Sequence, residues 1–192
     1  MSYPHWEYFL VIESDLEATS RFVEFTEGNF KTHSVEFAKI ILTSGSEIDV
    51  VAKAFCNQIK ETGTYKNIDD YRKTVTSEFR NFYNNEIKIP RYGLTFKPWE
   101  SWGNSGNPAW WDSYNKVKHN RDEYYHLANL ENAISSVAGL FSLMLYYYQR
   151  NLPDFEPRTK LMTNRALPEV VWCGVGDLPD FKSGFKIKHD KN

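Results

Sequence analysis

The sequence is short of cysteine, of charge of one sign and of long apolar runs, and each shortage excludes something. Only two cysteines occur in 192 residues, Cys56 and Cys173, far apart and without metal-ligand spacing. The core therefore has to come from burial rather than from disulfides or metals, and the chain is long enough for that. Cys56 falls in an apolar helical stripe and reads as a buried thiol. Acids and bases nearly balance, 25 against 23, and are interspersed. No global electrostatic footprint for nucleic acid exists, so any such contact must come from a local basic patch. The most apolar stretch, residues 137–148, is too short to cross a bilayer and contains Ser142. The opening MSYPHWEYFLVIESD has neither a basic n-region nor a long apolar h-region, so a cytoplasmic protein is expected.

What the chain has in quantity is aromatic carbon, 16% of its residues. Most of those rings have to pack in the core, and some tyrosines and tryptophans are expected to line a groove or an interface.

The apolar spacing predicts a mainly α-helical fold, with a helical domain over residues 1–150 and a proline-rich extension over residues 151–192. A first helix is expected over residues 13–25, with Ser14 as N-cap and Glu17 three positions later in a capping-box pattern, ended by Gly28 and Asn29. The clearest helix carries Val35, Ala38, Ile41, Leu42, Ile48, Ala52, Phe55, Cys56 and Ile59 on one stripe. Gly45 lies on that stripe and admits two readings, a close helix crossing or a break at Ser44-Gly45-Ser46. A third helix is expected over residues 67–82, capped by Asn67, with Asp69 and Asp70 in the first turn where the helix dipole favours acids.

The texture then changes. EIKIP (86–90) and LTFK (94–97) alternate around a turn at Arg91-Tyr92-Gly93, which predicts a small hairpin inserted at about residues 86–98. A loop over residues 98–108 leads to a short helix over residues 109–119 and a long apolar one over residues 127–149. In the extension Pro153, Pro157, Pro168 and Pro179 break any helical pattern. Its one strand-like run is residues 170–173, and its end, from Lys182 on, is basic.

The segment that carries candidate chemistry is WWDSYNKVKHNRDEYYH, residues 110–126. Trp111, Asn115, Lys118 and His119 recur at helical spacing and share one face, where an amide and two potential cations suit a phosphate or a base. The alternative is structural, with Trp111 in the core and Asn115 and His119 bonded to the next loop. Arg121 is a permanent cation suited to phosphate oxygens. His126 is a group able to move a proton near neutral pH. On one continuous helix the two would diverge by about 140°. They converge only if Arg121 sits on the turn and His126 in the first turn of the last helix.

Arg121-Asp122-Glu123-Tyr124-Tyr125-His126 resembles the motif of the HEPN superfamily, an arginine and a histidine separated by four to six residues at the start of the final long helix. The preceding YNKVKHNR, residues 114–121, also looks like a signature of bacterial HEPN-like proteins, and the resemblance extends over residues 34–149. It implies a HEPN-like helical bundle, metal-independent endoribonuclease activity in a toxin or antiviral defence role, no cofactor and no bound metal. It also implies a homodimer with a composite site, an RNA substrate and an antitoxin or other regulatory protein as partner. Carried over, Arg121 would hold the scissile phosphate, His126 would act as base or acid, and Asp122 would orient one of them. Asn115, Lys118 and His119 would bind RNA or phosphate. Lys118-His119 is an equally conspicuous basic pair, so the functional histidine is either His119 or His126. The family also contains non-catalytic dimerisation, nucleotide-binding and partner-binding modules, and fold alone does not carry function.

Elsewhere His5 and His33 stand isolated, and the loop Gly103-Asn104-Ser105-Gly106-Asn107 lacks the lysine of a phosphate loop. Trp99, Trp102, Trp110 and Trp111 form a cluster that reads as a lid over the hairpin or as a base-stacking platform.

Overall fold

The computed structural model describes residues 3–148 and 159–163. Among them the chain forms six α-helices and one hairpin, and its core is a pair of long helices that run side by side in the same direction, α2 (Val35–Ile59) and α6 (Leu130–Tyr147), in contact from Ser44 on Ser136 to Phe55 on Tyr147. Around this pair pack α1 (Pro4–Thr19), α3 (Ile68–Glu78) and α4 (Ala109–His119). The short α5 (Arg121–Tyr124) links α4 to α6 through a 3-10 turn, Tyr125–Leu127. No helix among the described residues is long and apolar enough to cross a membrane.

Helix α1 corrects the sequence reading. It begins at Pro4, whose fixed φ suits a first turn, and ends at Thr19. Trp6, Phe9, Ile12 and Leu16 form its buried stripe, and the Trp6 and Phe9 rings lie 6.2 and 5.3 Å from Phe141 of α6. This anchoring outweighs the capping-box pattern, so Ser14 is an exposed mid-helix residue rather than a cap. Phe22 lies beyond the helix and is 87% exposed.

Helix α2 runs unbroken through Ser44-Gly45-Ser46, capped by the Ser34 hydroxyl, which accepts from Phe37 N at 3.1 Å. Gly45 is where α4 crosses: a Cβ at this position would collide with the Tyr114 ring. The Ser44 hydroxyl donates to Ser136 of α6 at 2.8 Å, which satisfies a polar pair inside the helix interface. Of the two readings of Gly45, the close crossing is the one observed.

Asn67 caps α3 by accepting from the N–H groups of Asp69 and Asp70, both at 3.0 Å. The helix stops at Glu78, short of the expected residue 82. Phe79 and Phe82 are buried beyond its end because the chain turns there to stack them on Phe55 and Tyr146. The hairpin forms where expected, from β1 (Ile87–Ile89) and β2 (Leu94–Phe96), with Lys88 opposite Thr95. Gly93 at φ 65° closes its turn, a conformation few other residues accept. Burial alternates along β1, with Ile87 and Ile89 inside and Lys88 outside.

Residues 159–163, from the segment assigned to the extension, return to this body. Thr163 pairs with Lys88 on the free edge of β1, and Leu161 and Met162 are buried in the core. Their anchor is Glu13, whose buried carboxylate accepts from the backbone N–H groups of Lys160, Leu161 and Met162 at 2.9 to 3.1 Å. Burial raises the Glu13 pKa above the usual carboxylate range although these three bonds pull it down. The expected strand over residues 170–173, Cys173 and the basic end from Lys182 lie outside the described residues.

The tryptophan cluster is core. Trp99 and Trp102 lie 4.3 Å apart between ring centroids, and Trp99 and Trp110 lie 5.0 Å apart. The Trp99 indole N–H donates to the Gly139 carbonyl on α6 at 3.1 Å and that of Trp110 to Pro98 at 2.7 Å. All four rings are buried, so none offers an open face for stacking a base.

Candidate functional site

Helix α4 positions the candidate residues by what it buries. Trp110, Trp111, Tyr114 and Val117 point into the protein, with Val117 against Ala38 and Ala128. Lys116, Lys118 and His119 are consequently left in solvent. The chain then bends at Asn120, where α4 ends with Asn120 N bonded to Lys116 O at 2.8 Å. Four residues of α5 follow, then the 3-10 turn, and α6 begins only at Leu130 under an Asn129 cap.

This connector is held firmly on its inner side. Ser34 N donates to Ala128 O at 3.1 Å and Leu130 N to Thr32 O at 2.9 Å. The Asn129 amide donates to His126 O and the Asn132 amide to Leu127 O, at 3.3 and 3.0 Å. His33, read from sequence as isolated, packs its ring edge-on at 5.5 Å against Tyr125.

On the outer side the corner between α4 and α5 forms an open cleft of about 590 Å³ lined by Lys118, His119, Asn120, Arg121, Asp122 and Glu123. Of the residues expected to act together, Arg121, Asp122, Lys118 and His119 meet here. His126 does not line the cleft. It lies on the 3-10 turn, exposed, with its ring 6.4 Å from Tyr124. The geometry that would make His126 converge with Arg121 placed it in the first turn of the last helix, and α6 starts too late for that. Asn115 is also outside the cleft, because its amide donates to Trp111 O on its own helix at 3.0 Å. Asp122 makes no hydrogen bond or ion pair with either candidate among the described residues.

The charges in the cleft are close to even. Lys118 and Arg121 face Asp122 and Glu123, and His119 is the titratable remainder. Lys118 is steadied by Tyr114, its ammonium 3.2 Å from the hydroxyl and 5.3 Å from the ring centroid. Lys116 stands over the Tyr124 ring at 5.3 Å. The Tyr124 hydroxyl donates to Glu123, and that bond and the carboxylate's charge raise the tyrosine's pKa. Arg121 and His119 carry no such restraint among the described residues. A guanidinium, an ammonium and an imidazole on one open surface can take a phosphate and exchange a proton with a neighbouring oxygen.

Two groupings escaped the sequence. His5 is not isolated: its Nδ1 lies 2.6 Å from a Glu47 carboxylate oxygen and its ring 5.8 Å from Tyr147. The other is the Glu13 anchor described above. Each joins residues more than 40 positions apart, 42 for His5 and Glu47, so no local spacing announces it. Cys56 behaves as read, its thiol pushed up to about 12 by burial.

No family model matches the sequence, and no curated protein or solved structure is significantly similar to it.

Proposed function

We propose that the α4–α5 cleft is an RNA phosphate site and that the chain is a HEPN-like, metal-independent endoribonuclease acting in a toxin or defence role. The observation that carries the reading is the meeting of Lys118, His119 and Arg121 in one open cleft. Arg121 and Lys118 hold non-bridging phosphate oxygens. His119 takes the proton of the adjacent 2′-hydroxyl as its oxygen attacks phosphorus. The bond to the 5′-oxygen breaks, that oxygen takes up a proton, and a 2′,3′-cyclic phosphate and a 5′-hydroxyl result. One cleft offers one free histidine, whereas this reaction uses both a base and an acid. A homodimer that sets two clefts face to face supplies the second, and a regulatory partner such as an antitoxin would act by covering that face. His126 has no role in this scheme.

A second reading has its own observation. Asp122 and Glu123 line the same cleft and offset its two permanent cations, which suits a non-catalytic module that binds a partner or a nucleotide. Binding of a fluorescent single-stranded RNA and its cleavage on a denaturing gel separate the two. On the first reading Arg121→Ala lowers affinity, His119→Ala abolishes cleavage while RNA still binds, and His126→Ala changes neither. Binding without cleavage by the wild type supports the second reading. No RNA binding at moderate salt ends the RNA assignment altogether.

A further inference from the structure

On the inner side of the same connector lies a second cavity, of about 500 Å³, between β2, the first turn of α4 and the first turns of α6. Its volume is that of a small-ligand pocket, roughly 300–1,000 Å³. One part of its wall is apolar and built from flat groups, Phe96, Pro98 and Pro108, with Leu127 beside them. The other part is polar, and two of its side chains have hydrogen-bonding capacity left over. Asn132 donates an amide N–H to Leu127 O, and its Oδ1 accepts from no described residue. Ser135 is half-buried, and its hydroxyl has no partner among the described residues. Buried polar groups without partners are uncommon and costly, so such a group on a cavity wall calls for an occupant or a water.

We propose that this cavity is a nucleobase subsite of the RNA site, an inference that rests on reading the α4–α5 cleft as that site. A flat apolar wall beside a polar edge is how proteins hold a base splayed out of a single strand. The connector places the two sites next to each other along the chain. Arg121 opens it, Leu127 and Asn129 near its end line the cavity, and the Asn129 amide is bonded to His126 O. The free acceptor on Asn132 favours a base edge that offers a donor, so an exocyclic amine such as that of adenine is preferred there to the carbonyl of uracil, and the Ser135 hydroxyl can pair with either. RNA is thereby held by its phosphate in the cleft and sorted by its base in the cavity.

Adenosine has no phosphate and does not call on Arg121, which makes it the probe that separates the two sites. Titrated into the isotope-labelled full chain, adenosine is expected to shift the Asn132 side-chain amide and Trp110 indole resonances saturably, and uridine to shift them less. Ser135→Leu fills the cavity and is expected to abolish those shifts and to weaken adenine-containing RNA about tenfold, the value of one stacked base. Ser135→Gln serves as a second occluding variant, each checked by an otherwise unchanged spectrum. Arg121→Glu is expected to lose RNA and keep adenosine. The proposal is overturned if adenosine leaves both resonances in place, or if the shifts persist in both Ser135 variants. Adenosine binding here in a wild type that binds no RNA also overturns it, since the cavity would then serve a free nucleoside and the fault would lie with the RNA reading of the cleft.

Discussion

The two halves of α4 stand in opposite environments. Its first half carries Trp110, Trp111 and Tyr114 into the core, where Tyr114 fills the gap left by Gly45 and Trp110 lies against Gly139. Its last turn carries Lys116, Lys118 and His119 in solvent. In the first half the indole N–H of Trp110 is bonded to Pro98 O and the Ser113 hydroxyl to Ala109 O. In the second half and just beyond it, the side chains of His119 and, on α5, of Arg121 are left unbonded among the described residues. The difference teaches where binding free energy is available: a group already engaged in the fold offers a ligand little, whereas an unengaged cation on a fixed backbone offers it most of its interaction.

Substitution on the buried side should break the fold outright. Trp99→Ala removes a ring in contact with Trp102, Phe82 and Trp110, together with its indole bond to the Gly139 carbonyl, so unfolding in urea is expected to show a loss of about 3–5 kcal/mol. Gly45→Val drives a branched side chain into Tyr114 and is expected to cost about 1–3 kcal/mol or more. If either variant keeps its wild-type midpoint, the packing of α4 on α2 and α6 is not what fixes the cleft. Glu13→Ala comes next: it leaves the N–H groups of residues 160–162 without an acceptor, those of Leu161 and Met162 buried, and a loss of about 2–3 kcal/mol is expected. Faster proteolysis near residue 160 is its specific signature.

How much of this was legible in the sequence differs along the chain for physical reasons. Helix α2, the Asn67 cap, the hairpin with its Gly93 turn and the burial of Trp111 were legible because each follows from a local period or a local hydrogen bond. Helix α1 was misplaced because a local capping pattern at Ser14 competed with a stripe, Trp6 to Leu16, whose partner Phe141 lies on the other side of the sequence. In the candidate site, Arg121, Lys118 and His119 were found through their spacing, but their company was not. Where α6 begins is decided by the Asn129 cap and by Thr32 and Ser34, and that start puts His126 outside the cleft. The meeting of Glu13 with residues 160–162 had no signal beyond an acid in an apolar stripe, which period reading treats as noise.

Acid sharpens the comparison from the buried side. The folded-state pKa of Glu13 lies above the ordinary carboxylate value, with burial as the largest cause. The folded protein therefore binds a proton more readily there than the unfolded chain, and the contribution of Glu13 to stability grows as pH falls through the raised value. Glu13→Gln has no such titration. The melting temperature of the wild type relative to this variant should rise as the pH is lowered from 7 towards 4.5, and a flat or falling difference would mean that the three backbone bonds outweigh burial.

The smallest effects on stability belong to the cleft. The side chains of Arg121, His119 and His126 are exposed and bear no hydrogen bond or ion pair among the described residues, so replacing each by Ala should move the unfolding free energy by no more than about 0.5 kcal/mol. On RNA the three should separate: Arg121→Ala weakens binding about tenfold, as the loss of a charge-assisted phosphate contact does. His119→Ala spares binding and stops cleavage, and His126→Ala is silent. A silent Arg121→Ala with an impaired His126→Ala would move the site to the outer face of the 3-10 turn, beside Tyr124, and would return the histidine of the motif to the role that its position after the cleft now denies it.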